Sequence, residues 1–191
     1  MRIVAGAFRG RPLVAPKGQS TRPTADRTRQ ALFNVLEHAA WAPDLEGLRV
    51  IDLFAGSGAL GLEAISRGAA FALFVETDDA ARGAIRANVE TLNLFGQTRV
   101  HRRDAADLGR RPPGDGPPFR LALLDPPYGK GLGEAALRSL AAGGWLAPGA
   151  LAVLERGLTD PAEETPGYET LDERTWGAAK VAFLRWSPPA G

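Results

Sequence analysis

Residues 50–61 read Val50-Ile51-Asp52-Leu53-Phe54-Ala55-Gly56-Ser57-Gly58-Ala59-Leu60-Gly61. An apolar run of strand length passes directly into a Gly56-x-Gly58-x-x-Gly61 turn and then into a helical segment reaching about Arg67. Such a unit needs a sheet for its strand and a sheet face for its helix. The alternation then continues along the chain. Phe71–Glu76 is a second apolar run. Asp78 can cap a helix with Ala81, Ile85, Val89 (or Asn88) and Leu92 inside. A weaker strand is expected over Arg99–Arg102 and a strong one over Phe119–Asp125. A helix follows over Leu132–Ala142, a strand over Ala150–Glu155 and a late alternating strand over Lys180–Trp186. Strands separated by helices of this length imply right-handed crossovers.

Ahead of this core, Arg2–Ala5 and Pro12–Ala15 read as a hairpin around Gly6–Arg11. Pro16–Pro23 is a polar connector. A helix capped by Thr24 or Asp26 then presents Thr28, Ala31, Leu32, Val35, Leu36 and Ala39 on one face. The 191 residues suit one domain, with 1–24 as a basic hairpin extension. Gly109–Pro118 and Pro161–Gly167 are loops, and Glu163–Ala179 carries little pattern.

Lysine and arginine number 23 against 22 acids, so only local asymmetry can signal a charged partner. Residues 1–30 supply it, with seven cations and one acid. With no cysteine, disulfides, thiolate metal sites and a cysteine nucleophile are excluded. The only histidines, His38 and His101, have no second ligand at metal spacing and read as surface or helix-end residues. No metal is expected. Trp41, Trp145, Trp176 and Trp186 read as core or edge packing. No uncharged apolar run is long enough to span a membrane.

Three acids each close a successive strand: Asp52, Glu76 and Asp104. Ligands of open α/β sheets lie beyond the carboxyl ends of the strands. Glu76 stands 20 residues after Gly56, where a carboxylate can accept from a ribose diol. Asp52 lies close before the glycine turn. An anion there disfavours a pyrophosphate and favours a cationic ligand such as S-adenosylmethionine. Asp52 can also cap the loop amides, and the two roles are compatible.

Leu124-Asp125-Pro126-Pro127-Tyr128 ends the strongest strand. Two prolines stop it, remove two donors and hold Asp125 in extended geometry. The turn presents a carboxylate, free carbonyls and an aromatic ring. Those groups suit an amino group on a stacked base.

Asp52 to Gly58, Glu76, Asp104 and Asp125-Pro126-Pro127-Tyr128, in this order, resemble a class I S-adenosylmethionine-dependent methyltransferase of exocyclic amines. Arg2-Ile3-Val4-Ala5-Gly6, Arg9-Gly10-Arg11 and Arg22-Pro23-Thr24-x-Asp26-Arg27-x-Arg29-x-Ala31-Leu32-Phe33-Asn34 resemble the RsmD family of bacterial 16S rRNA guanine-N2 methyltransferases. The resemblance covers essentially the whole chain, including Gly144-Trp145-Leu146. It implies a Rossmann-like α/β fold: a mostly parallel seven-stranded sheet with helices on both faces and a small N-terminal hairpin and helix. It implies S-adenosylmethionine as cofactor, held by Asp52, Phe54, Ala55, Gly56, Ser57, Gly58, Glu76, Thr77, Asp104 and Ala105. The catalytic turn is then Asp125, Pro126, Pro127 and Tyr128. Arg9, Arg11, Lys17, Arg22, Thr24 and Arg27 are the expected RNA contacts. The implied substrate is 16S rRNA in the assembling 30S subunit, at the family's guanine 966, and the enzyme is expected to be cytoplasmic and monomeric. Other readings are a DNA adenine-N6 or another RNA amino-methyltransferase, a nicotinamide-dependent oxidoreductase, or a non-catalytic RNA-binding protein. The oxidoreductase leaves the Asp-Pro-Pro-Tyr turn without a task, and the RNA-binding protein explains the basic end alone.

Overall fold

A computed structural model describes residues 1–17 and 23–190. One seven-stranded sheet organises the chain. Its strands are β1 (Arg49–Leu53), β2 (Phe71–Val75), β3 (Thr98–His101), β4 (Phe119–Leu124), β5 (Leu146–Gly157), β6 (Tyr168–Trp176) and β7 (Ala179–Trp186). The spatial order is β3-β2-β1-β4-β5-β7-β6. The first five strands pair in parallel, and β7 runs antiparallel to both β5 and β6. The long helices are α1 (Pro23–His38), α2 (Ala59–Ser66), α3 (Asp79–Leu92) and α4 (Leu132–Ala142).

Period-two alternation splits the core between two faces. Val50, Phe74, Leu121, Leu123, Val153 and Phe183 point to one face, beneath Leu32, Phe33 and Leu36 of α1, Leu62 of α2 and Ile85 and Val89 of α3. Ile51, Leu53, Val75, Leu124 and Leu154 point to the other, beneath Leu137 and Leu140 of α4 and the fully buried Trp145. Strands covered on both sides read as continuous apolar runs, which is why β1, β2 and β4 stand out in the sequence. Gly61 has a steric task. A Cβ there would lie 2.5 Å from the Phe74 ring, so α2 could not approach the sheet this closely.

Four expectations need correction. The hairpin is a single bridge, Arg2↔Pro12, rather than two strands. The amides of Val4 and Ala5 turn instead to the Glu63 carboxylate, at 2.9 and 3.0 Å. α1 starts at Pro23, and Asp26 lies inside its first turn, paired with Arg29 at 2.8 Å. β5 begins four residues before Ala150, with a register irregularity against β4. The weakly patterned segment contains β6, an edge strand whose side chains are mostly exposed, so burial imposes no alternation on it.

The N-terminal segment is built into the body. Ile3 and Leu13 are core residues. Glu63, 0% exposed, accepts from Val4 N, Ala5 N, Arg29 Nε and Arg67 Nε. Four donors match the four lone pairs of a carboxylate, so this buried charge is fully compensated. Gly6 adopts φ +81, and a Cβ there would lie 1.8 Å from the Ser66 carbonyl oxygen, so this turn needs glycine to lie against α2.

Candidate active site

The carboxyl ends of β1, β2, β4 and β5 border a cleft of about 860 Å³. That is the size of a cavity for a nucleoside-sized ligand with room to spare. Asp52, Phe54, Ala55, Gly56, Ser57, Glu76, Thr77, Asp104, Ala105, Asp125, Pro126, Pro127 and Tyr128 all line it. Gly58 does not; it is the left-handed N-cap of α2, at φ 80.

β1 carries Asp52 to 1% exposure. Its Oδ2 accepts from Gly61 N at 2.9 Å, while Oδ1 is buried with no partner. Burial pushes its carboxyl well above the usual range, and the charges of Asp125 and Glu76 add to this against the Gly61 amide. Phe54, between Asp52 and the glycine turn, holds φ 57 despite its side chain. Backbone strain of that kind concentrates at ligand sites. Glu76 braces the loops around it: Oε2 accepts from Gly56 N at 2.8 Å and Oε1 from Asp78 N at 2.9 Å. Each oxygen keeps one further lone pair for a ligand hydroxyl. Asp104 Oδ1 accepts from Ala106 N at 2.9 Å, closing a local turn that presents its other oxygen.

Asp125 lines the cleft and is exposed to its solvent. Low-polarity surroundings, then the charge of Glu155, push its pKa up to about 7. Burial likewise raises Glu155, against a stabilising hydrogen bond from Tyr128. Tyr128 is 44% exposed, and its hydroxyl donates to Glu155 Oε1 at 2.5 Å. Asp160 Oδ2 accepts from both Gly129 N and Gly157 N at 3.0 Å, tying the end of the proline turn to the end of β5. Burial first, and then Glu155, push the Tyr128 phenol well above its ordinary value.

Several lining residues escaped the sequence reading: Glu155, Arg103, Thr28, Arg29 and the β6–β7 corner with Trp176 and Ala178. Glu155 closes a parallel strand, the same signal that singled out Asp52, Glu76 and Asp104. Trp176 packs partly against the core and also faces the cleft, because β6 turns into β7 at the cleft's rim. Arg29, expected among the surface cations, is buried and donates to Glu63, Asp26 and the Arg2 carbonyl. His101 is half-buried beside Asp115, at 3.5 Å, rather than at the surface; burial lowers its pKa.

None of the expected RNA contacts lines the cleft among the described residues. Arg9, Arg11, Lys17 and Arg27 are exposed. Arg9 follows the segment Ala7–Phe8 that bonds Ser66 at the C-terminus of α2, and Arg11 donates to the Thr91 carbonyl near the C-terminus of α3. Both therefore lie at the far end of those helices from the cleft. Arg27 belongs to the first turns of α1, whose Ala25 and Thr28 border it. Arg22 and the Thr24 side chain lie outside the described residues. No cluster of histidine and acid side chains among the described residues could hold a metal ion, and no helix is long and apolar enough to cross a membrane.

Residues 1–185 match a family model described as conserved hypothetical protein 95. The chain is 38% identical over 183 residues to ribosomal RNA small subunit methyltransferase D of Escherichia coli K12, covering 96% of this chain and 87% of that protein. It is 35% identical over 178 residues to the protein of the same name from Haemophilus influenzae, covering 93% and 89%. A solved structure of yhhF from Escherichia coli superposes with a TM-score of 0.81 at 32% identity, over 98% of each chain.

Proposed function

The chain belongs to the RsmD family of methyltransferases, and from that premise we propose that it methylates the N2 amino group of a guanine in 16S rRNA, with S-adenosylmethionine as donor. When bound, that cofactor supplies a methyl group on a positively charged sulfur.

The residues at the β1–β2 end of the cleft fit it. Asp52 keeps an unpartnered buried oxygen, which suits a cationic ligand. Glu76 retains lone pairs for a ribose diol, and Asp104 offers an acceptor for an amino or hydroxyl group. The backbone of Phe54–Ser57 borders the cleft and would lie close to the ligand.

The Asp125–Tyr128 turn fits the amine. Asp125 and the Pro126 carbonyl accept the two N2 hydrogens, which turns the nitrogen lone pair toward the cofactor end. The guanine amine is a poor nucleophile, because its lone pair conjugates with the ring, so orientation is the main service, worth up to about 7–11 kcal/mol. The alkylated nitrogen then sheds a proton, and Asp125, with a pKa of about 7, is a matched acceptor. Tyr128 offers its exposed ring as a platform for a base drawn out of its stack. The carrying observation is this turn, poised across one cleft from Asp52 and Glu76. The substrate is the RNA of the assembling small subunit, and the protein works as a cytoplasmic monomer.

The test uses methyl-labelled S-adenosylmethionine with small-subunit particles lacking the modification, digested to nucleosides. Label is expected in N2-methylguanosine. Asp125→Ala should lower turnover about 10²–10⁴-fold while S-adenosylmethionine still binds, measured by calorimetry. Label in adenosine would replace the guanine reading, and full activity of Asp125→Ala would remove Asp125 from the chemistry.

A further inference from the structure

One acid in the cleft is left without a task. Asp52, Glu76 and Asp104 stand at the cofactor end and Asp125 faces the amine; Glu155 remains. The register pairs Leu124 with Leu154 on adjacent parallel strands. Asp125 and Glu155 are therefore the next positions on neighbouring strands, which run about 4.8 Å apart and turn such residues to the same side. The repulsion between the two carboxylates reflects that closeness. One Glu155 oxygen accepts from the Tyr128 hydroxyl. The other has no hydrogen bond among the described residues, and the side chain lines the cleft.

The Watson–Crick edge of guanine carries three hydrogens, two on N2 and one on the adjacent N1. Asp125 and the Pro126 carbonyl account for two. The third needs an acceptor beside Asp125. We infer that Glu155 accepts the N1 hydrogen of the target base, so that the Asp125–Glu155 pair selects guanine. Adenine offers a lone pair at N1, which faces a carboxylate unfavourably. A site built to pair a substrate N–H rejects analogues lacking it, because its own polar group is left unpaired. Tyr128 donates to the opposite oxygen and holds the carboxylate in place. The inference rests on the guanine-N2 reading above.

The experiment compares two substrates: small-subunit rRNA carrying, at the methylated position, either guanosine or 2-aminopurine riboside. The analogue keeps the 2-amino group and has no hydrogen on N1. Values of kcat/KM are measured for the natural chain, Glu155→Gln and Tyr128→Phe. The natural chain is expected to prefer guanosine by about 100-fold or more. Glu155→Gln can donate to the bare N1, so its preference should fall at least about 10-fold, with thermal melting and S-adenosylmethionine binding retained. Tyr128→Phe keeps the ring and the Glu155 carboxylate and should lose less of the preference than Glu155→Gln. Equal use of both bases by the natural chain overturns the inference without any variant. So does an unchanged preference in Glu155→Gln, or an equal loss in Tyr128→Phe, which would assign selection to the tyrosine hydroxyl. If the natural chain methylates no guanosine, the functional reading itself falls, and that outcome is distinct from the others.

Discussion

Asp125 and Glu155 stand side by side in the cleft, and both are raised above the ordinary carboxylate range. Asp125 must be ionised to accept an amine hydrogen, yet the surrounding protein and Glu155 raise it to about 7. The groups facing it are Glu155 at the end of β5, Tyr128 on its own turn and Asp52 on β1. We expect kcat/KM to rise with pH through about 7 and level off above it, the inflection belonging to the Asp125–Glu155 pair rather than to one residue. Stability runs the other way. A carboxyl raised by folding binds its proton more tightly in the folded state, so its stabilising contribution is complete below the ordinary carboxylate value and is lost as pH rises through the folded one. Thermal melting from pH 5 to 8 alongside the rate profile checks both signs; a rate that falls across that range would refute the role given to Asp125. At this scale the sequence placed the acids through their strand-ending positions, but their protonation depends on neighbours from other strands.

Among elements, the clasp centred on Glu63 joins α2, α1 and the N-terminal segment. Removing the carboxylate in Glu63→Ala leaves Arg29 buried without that partner and frees the Val4 and Ala5 amides. The expected loss is about 3–5 kcal/mol, read from urea unfolding. A loss under about 1 kcal/mol would show that the segment docks by apolar contact alone. No sequence pattern marks this role, because an acid inside an amphipathic helix ordinarily faces water. α3 was more legible: Asp78 caps it, with Ala81 N donating at 2.7 Å, and its apolar spacing matches its buried face. β6 was not, for an exposed edge strand has no burial to enforce a period.

Over the whole molecule, exposed N-terminal cations sit at two distances from the cleft. Arg27 lies on the turns of α1 that border it, whereas Arg9 lies near the far end of α2. Phosphate contacts fix a nucleic acid's register without reading its bases. Reversing Arg27 to Glu should weaken rRNA binding and reduce the slope of log affinity against log salt by about one per lost phosphate contact. Arg9→Glu should do less, since Arg9 lies far from the base being modified. Filter-binding titrations from low to moderate salt decide this, and an equal effect at both places would mean that the RNA wraps the length of the hairpin.

Local sequence sufficed wherever a chemical requirement and a backbone requirement fall on neighbouring residues. Glycines after an apolar strand, an acid closing it and a proline-stiffened corner each declare themselves within a dozen positions, so the α/β class and about half of the cleft's lining were readable. Pairings between distant positions were decided only by folding. Glu155 beside Asp125, Trp176 at the rim and Glu63 beneath the hairpin all depend on strand order and helix packing. Those contacts form between segments tens of residues apart, where no short-range period records which side chains will meet.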